Sequence, residues 1–270
     1  MEPSMILDSA KIVYFSPTRT TEKIIKSLSQ SIESSKIEFL NLTRPENRQQ
    51  KVTLKQDELL IIGLPVYGGR VPNVLREWFT QLEANETPAV CLSVYGNRHY
   101  DDHMIELKEM VTKQGCKAFA HAAFIAEHSF LCQPPENYIP RPNSKDLEVA
   151  KDFGKAIQSK ISLAKSINDL TDIPLIGELP TDIKDTLHED FIFVEDSCTN
   201  CGACAQLCPV DAINQTNCTI TNPEKCIACC ACIKFCPRNS RVMKPSKIYQ
   251  YSKMMDKLLK KPNQIELFIK

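Results

Sequence analysis

The sequence predicts an α/β protein: a parallel, doubly wound sheet of five strands, followed by a small domain organised by cysteines. Three observations carry this reading. Apolar runs alternate with amphipathic helical stretches over residues 10–170. Of 13 cysteines, eight are set in two repeated runs between residues 198 and 236. The 270 residues, 43% hydrophobic and 24% charged, suit one to two globular domains rather than a disordered or fibrous chain.

The strands read as short apolar segments. Lys11–Phe15 is the first, and Ile37–Leu40 the second. Glu58–Val66 is a continuous apolar run, the pattern of a strand covered on both faces. Ala89–Tyr95 and Lys117–Ala126 complete the five. Between them, Thr21–Glu33 places Ile24, Ile25, Leu28 and Ile32 on one helical stripe. Pro72 suits the first turn of a helix carrying Leu75, Trp78, Phe79 and Leu82. Asp101–Gln114 has acids in its first turn and Gly115 past its end, and Ser144–Ile167 reads as a long final helix. Strands alternating with helices give a parallel sheet with right-handed crossovers and helices on both faces. Domain limits follow at 1–170 for the sheet, 171–196 for an acidic linker, 197–240 for the cysteine domain and 241–270 for a basic C-terminal part, with a helix over 245–262.

Lys plus Arg and Asp plus Glu are equal at 33 each, so total charge points to neither a nucleic acid nor a strongly acidic partner. Locally the charge is uneven. Residues 167–196 hold nine acids and one base, Lys184, whereas 241–270 hold eight bases and two acids. These are solvated faces, or surfaces that orient a redox partner. The basic part, with Lys244, Lys247, Lys253, Lys257, Lys260 and Lys261 beside Tyr249 and Tyr251, lacks the broad basic face of a nucleic-acid binder. No run approaches the roughly 18 apolar residues of a membrane span. The first 15 residues run directly into a strand and show no signal-peptide pattern, so a cytoplasmic location is expected. Structural disulfides are rare there, and clustered cysteines point to metal or redox chemistry.

The cysteines read Cys198-x2-Cys201-x2-Cys204-x3-Cys208-Pro209 and Cys226-x2-Cys229-x2-Cys232-x3-Cys236-Pro237, an internal duplication offset by 28 residues. Three cysteines spaced by two wrap one cubane, and the fourth, before proline, ligates the other cluster. The expected ligands are Cys198, Cys201, Cys204 and Cys236 for the first [4Fe-4S] cluster, and Cys226, Cys229, Cys232 and Cys208 for the second. Zinc sites use paired CxxC knuckles, which this spacing does not resemble. Val210, Ile213, Ile227 and Ile233 are placed to keep water from the sulfurs. Cys230 and Cys218 fall outside the ligand spacing. With Cys91, Cys116 and Cys132 they read as small buried or loop residues.

Three loops reach the carboxyl edge of the sheet, where doubly wound folds bind ligands between strands one and three. Ser16-Pro17-Thr18-Arg19-Thr20-Thr21 opens the first helix, whose amides and hydroxyls suit phosphate. It resembles the flavodoxin phosphate loop, T-x-T-G-x-T, with Ser16, Thr18 and Thr21 at hydroxyl positions and Arg19 in place of glycine. Plain helix capping is the alternative. Pro65-Val66-Tyr67-Gly68-Gly69-Arg70 follows the third strand; its glycines allow close approach to a ring on which Tyr67 stacks. Tyr95-Gly96-Asn97-Arg98-His99-Tyr100 follows the fourth, with Tyr95, Gly96, Asn97 and Tyr100 as ring-face and edge contacts. Either of these two loops alone is also compatible with an ordinary turn. The segment Glu127–Asn143 carries Pro134, Pro135, Pro140 and Pro142 and opens on His128 and Ser129; loops of this length are usually functional or mobile. His121 reads as a core residue.

The strings FSPTRTTEKI, LPVYGGRVP, YGNRHYDD, AEHSF…RPNS and both CxxCxxCxxxCP runs together resemble the EFR1-family ferredoxins of anaerobic microbes. Those proteins fuse an N-terminal flavodoxin-like domain to a bacterial-type 2[4Fe-4S] ferredoxin domain. The resemblance implies a sheet order 2-1-3-4-5, a small α+β ferredoxin domain, FMN as flavin, and low-potential electron transfer with protein redox partners. The alternatives are a flavin-dependent reductase of a quinone, nitro compound or dioxygen, with Tyr67, His99, Tyr100 and His128 as proton donors, and a redox-responsive scaffold. No G-x-G-x-x-G occurs, so direct NAD(P)H use is not indicated.

Overall fold

The computed structural model describes residues 5, 7–132, 134, 136, 138–175, 177–182, 188–259 and 263–270, with only the backbone of 255–259. Of the residues singled out above, Pro135, Lys184, Asp185, Lys260 and Lys261 lie outside the described residues, as does the Lys257 side chain.

The apolar runs form the expected strands: β1 (Ser9–Tyr14), β2 (Lys36–Asn41), then, after a short β3 (Val52–Leu54), β4 (Glu58–Pro65). After α1 (Thr20–Ser29), which lies between β1 and β2, the helices α2 (Arg76–Phe79), α3 (His103–Lys113) and α4 (Ser144–Leu163) follow. A short β5 (Leu82–Ala84) precedes β6 (Thr87–Tyr95), and β7 (Cys116–Ile125) follows α3. All neighbours among the five long strands are parallel, in the order β2-β1-β4-β6-β7. Counting these five alone, the order is 2-1-3-4-5, that of the flavodoxin-like doubly wound fold. The six central residues of β4 and all of β6 are buried, as strands covered on both faces require.

Helices α1 and α4 cover one face, where Ile24, Ile25 and Leu28 meet Phe153, Ile157 and Ile161. Trp78, Phe79, Leu107 and Val111 fill the other. Asn143 caps α4 by accepting from the amides of Lys145 and Asp146. Burial of the apolar stripes on both faces makes this sheet a core in its own right.

Four features depart from the sequence reading. The sheet has six strands, not five: β10 (Glu266–Phe268) adds antiparallel to β7. The helix expected from Pro72 to Leu82 is a 3-10 turn followed by the single turn of α2. Leu82 instead enters β5, which pairs with β3 in a separate two-stranded sheet. The last helix of the sheet ends at Leu163, and Ile167 begins a 3-10 turn. The acidic linker contains a strand, β8 (Ile192–Val194), that pairs with β9 (Arg241–Met243) across the whole cysteine region. Between them lie two short helices, α5 (Ala203–Leu207) and α6 (Ala231–Lys234), and α7 (Lys247–Leu259) follows.

Several acids of residues 167–196 have partners within the chain while staying exposed. Asp169 caps its 3-10 turn, Asp172 pairs with Lys108, and Asp182 meets Arg70. Glu189 accepts from the first amides of α7, and Asp190 pairs with Lys244. Among the described residues no helix is long and apolar enough to cross a membrane.

Candidate metal centres and the loop edge beside them

The 28-residue duplication is visible in the backbone. Asn200 and Ala228 have φ of 52° and 53°, Gly202 and Cys230 have 80° and 59°, and Asp211 and Asn239 have 49° and 52°. Each pair is offset by 28. Left-handed backbone is costly for Ala and Cys, so the repeat's geometry is imposed on them by its surroundings. Cys230 thus stands where the first repeat has glycine, which accounts for a cysteine between two candidate ligands. The hydrogen bonds repeat too: the amide of Ala212 donates to Cys208 Sγ (3.2 Å) and that of Ser240 to Cys236 Sγ (3.3 Å).

Two cavities lie among the cysteines, each lined by residues of both repeats. Cys208, Cys226, Cys229 and Cys232 line one, together with Cys230, and Cys198, Cys201, Cys204 and Cys236 line the other, together with Cys218. Among the described residues no three His, Cys, Asp or Glu side chains gather as tightly as a single ion requires. Thiolates set around a cavity suit a larger centre. Val210, Ile213 and Ile227 line the first of these cavities, while Ile233 is buried in the same apolar cluster. Burial pushes the Cys232 thiol up to about 12 and the Cys229 thiol well above its ordinary value. Only bound metal makes thiolates favourable in such surroundings. At Cys236 burial also acts upward, but the amides of Arg238, Ser240 and Arg241 outweigh it and hold the thiol low.

Of the extra cysteines, Cys91 and Cys116 are buried in the sheet. Cys218 lines the cavity of Cys204 and shares a hydrogen bond with it. Cys132, at the end of the His128 loop, shares one with Cys230 across the two parts of the chain. His121 is fully buried, as expected of a core residue.

At the first loop Arg19 adopts φ 64°, the conformation glycine would supply, so the loop keeps its turn despite the substitution. Its guanidinium lies 4.7 Å from the ring centre of Phe235, beside Cys236. Ser16 Oγ accepts from the Glu22 amide (3.0 Å), and Thr18 and Thr20 place their hydroxyls 3.5 Å apart. Thr21 Oγ1 is buried with no partner. An orphaned hydroxyl at a helix N-terminus fits the phosphate end of a nucleotide.

The second loop is a tight two-residue turn: Tyr67 and Arg70 exchange both backbone hydrogen bonds at 3.1 Å, with Gly68 and Gly69 at positive φ. A Cβ on Gly69 would lie 2.4 Å from Asp101 Oδ2, so the glycine serves contact between loops rather than approach to a ring. Sequence reasoning missed what holds this loop. Arg70 donates to both carboxylate oxygens of buried Glu106 (2.9 and 3.1 Å), which also accepts from the Val71 amide (2.8 Å) and from Arg76. Burial acts upward on Glu106, but Arg70, the Val71 amide and Arg76 hold its carboxyl below the usual range. Val66 is tied to the sheet edge by its amide, which donates to the Val94 carbonyl, and Pro65 ends β4. The Tyr67 phenol is enclosed, which drives its pKa well above 10, and Cys229, Cys230 and Cys226 add to the effect.

In the third loop Tyr95 packs edge-on to Tyr100 at 5.6 Å, and His99 stacks on Tyr100 at 4.8 Å. Gly96 abuts His128; a Cβ there would fall 2.4 Å from the imidazole. Asn97 receives the Asn263 amide at 2.7 Å, and Tyr100 donates to Glu266. The ring end of the edge is thus covered by His128 and by residues 263–268, which sequence reasoning did not bring there.

The cysteine region is docked on this edge. Lys234 Nζ pairs with Glu127 and donates to the carbonyls of His128 (3.3 Å) and Leu131 (3.0 Å). Arg48 donates to the carbonyl of Pro209, next to Cys208, at 2.6 Å. Ile227 packs with Tyr67 into the core of the sheet.

Residues 191–214 and 219–241 match the family of the 4Fe-4S binding domain. Fold and cavities together define an iron–sulfur protein that carries two such repeats beside a flavodoxin-like α/β domain. No curated protein matches the chain. Among solved structures it is similar to a flavodoxin from the domain Archaea (14% identity, 57% of this chain and 98% of that one, TM-score 0.38). It is also similar to a Streptococcus pneumonia TIGR4 flavodoxin (14%, 57% and 99%, TM-score 0.39). A third is the rubredoxin oxygen:oxidoreductase of Desulfovibrio gigas (14%, 58% and 37%, TM-score 0.41).

Proposed function

We propose that the chain is an electron-transfer protein of the EFR1-ferredoxin type. Cys198, Cys201, Cys204 and Cys236 hold one [4Fe-4S] cluster, and Cys208, Cys226, Cys229 and Cys232 the other. FMN binds at the loop edge, its phosphate on Ser16–Thr21 and its ring beside Pro65–Gly68 and Tyr95–Tyr100. The observation that carries this is Ile227, which lines the cavity of Cys208, Cys226, Cys229 and Cys232 and packs with Tyr67 of the second loop against the core of the sheet. One cavity therefore adjoins the loop edge, while the other presents Cys201 to solvent. Exposed Cys201 would put the first cluster within reach of a protein partner, and the second cluster, beside Ile227 at the loop edge, would be the one nearer the flavin. The clusters carry single electrons and the flavin one or two, so their fusion converts between the two modes at high effective concentration. Tyr67 packs against the sheet core and His128 abuts Gly96, so two proton donors of the reductase reading are engaged in packing, which favours the carrier.

Anaerobically purified protein is expected to hold about eight iron, eight sulfide and one FMN per chain. Full iron without flavin would remove FMN from the proposal. Cys208→Ala is expected to damage the cluster of Cys226, Cys229 and Cys232 and spare the other. Loss of the Cys198–Cys204 cluster instead would overturn the crossed assignment.

A further inference from the structure

Arg241 is among the largest fully buried side chains of the molecule, with 2% of its surface exposed. A buried guanidinium normally faces a carboxylate. Among the described residues Arg241 pairs with none. Nη1 donates to the Cys218 carbonyl (2.6 Å) and lies 3.6 Å from Cys204 Sγ; Nη2 reaches Thr221 Oγ1. Nε is buried without a partner. Arg241 lines the cavity of Cys198, Cys201, Cys204 and Cys236, and its partner Thr221 lines the other cavity, at whose Cys232 its charge is also felt. One fixed positive charge thus lies against a sulfur of one ligand set and stands at the wall of the other.

We propose that Arg241 is the shared counter-charge of the two clusters and sets both reduction potentials. This rests on the cluster assignment above. A [4Fe-4S] centre with four thiolates is a net anion, and reduction adds one further negative charge. A buried cation beside it stabilises the reduced state more than the oxidised one. Hydrogen bonds to cluster sulfurs act on potential in the same way, whereas burial opposes them by disfavouring the more charged reduced state. The effect is strong because little water screens a charge at this depth. Two anchors, the Cys218 carbonyl and the Thr221 hydroxyl, hold the planar fork in place with Nη1 beside Cys204 Sγ. Arg241 is a positioning residue for charge; it ligates nothing.

The test compares wild type, Arg241→Gln and Arg241→Lys by anaerobic redox titration, following each cluster by electron paramagnetic resonance. Iron and sulfide counts on the wild type test the cluster assignment separately from this proposal. In Arg241→Gln both midpoint potentials are expected to move negative. Each reduction should become at least tenfold less favourable, which is 59 mV for one electron. Arg241→Lys keeps the charge but puts it at a single point, so at least one potential should move, by less than in the glutamine variant and unequally between clusters. Potentials unmoved in the variants that load iron would overturn the proposal. So would failure of Arg241→Lys to hold its clusters, because a role that is electrostatic must survive a residue that keeps the charge.

Discussion

The sheet and the cysteine region bury their interiors by opposite means. The sheet has large apolar side chains on both faces, Phe119, Phe124 and Phe153 on one and Trp78, Phe79 and Leu107 on the other. The interior of the cysteine region is built from Cys218, Cys230, Cys232, Ala205, Ala228 and a few isoleucines, with Phe191 its one fully buried aromatic among the described residues. Such side chains remove too little apolar surface from water to offset the ordering of a chain of this length. One region is organised by the hydrophobic effect, the other by its metal.

Removing the metal is therefore the strongest way to break the comparison. Anaerobic chelation of iron should abolish amide protection over residues 198–236, while β4 and β6 keep theirs in hydrogen exchange, because ligand binding there is folding free energy. Equal loss of protection in β6 would mean that the sheet depends on the clusters too.

A charge buried on the sheet side gives the next largest effect. Glu106 satisfies Arg70, Arg76 and the Val71 amide at once. Glu106→Ala leaves Arg70 buried without its bidentate partner, and denaturant unfolding of the sheet should show a loss of about 3–5 kcal/mol. Cluster content should be unchanged; a fall in iron would show that the second loop also shapes the adjoining cavity.

Acid separates the regions as well. Burial lowers His103, His121 and His128 from 6.5 to about 4. Between these values the unfolded chain takes up protons that the folded chain refuses. Stability contributed by the neutral imidazoles is therefore full above pH 6.5 and lost as pH falls towards 4, by at most about 3 kcal/mol per histidine. His103→Gln should flatten that part of the stability profile; an unchanged slope would show that His103 titrates normally in the fold.

How much of this was legible in the sequence follows from the same contrast. Long buried strands announce themselves as apolar runs, and the cysteine duplication reappears as backbone angles repeated at an offset of 28. β10 and β8 did not announce themselves: each has three residues, and their pairing is decided by a free strand edge far away in sequence. The helix after Pro72 stopped early because the chain turns at Gln81, whose carbonyl accepts from the Val52 amide as β3 and β5 pair. At Gly69 the nearness of Asp101 and a positive φ account for the glycine, a contact between loops that no local pattern announces. Arg241 was counted with the basic C-terminal stretch, since only burial distinguishes it from Lys244. Side chains that act through long-range contact carry no local pattern.

The smallest expected effect tests how the two regions are joined. Lys234 is nearly buried and reaches across to Glu127 and to the carbonyls of His128 and Leu131, making it the interdomain contact richest in hydrogen bonds among the described residues. Hydrogen bonds from a charged donor are worth about 1.5–3 kcal/mol each when buried. Lys234→Ala also leaves Glu127 unpaired, but none of these groups belongs to a cavity. Iron, sulfide and the separate stability of the sheet should therefore stay at wild-type values. Docking should not: exchange at Glu127–Leu131 should quicken. If flavin is bound, electron exchange between it and the second cluster should slow, because Tyr67 and Ile227 are no longer held together. Unchanged exchange at Glu127–Leu131 would place the strength of the joint elsewhere, on Arg48 at Pro209 and on Ile227 in the core of the sheet, and Arg48→Ala would then be the variant that parts the two regions.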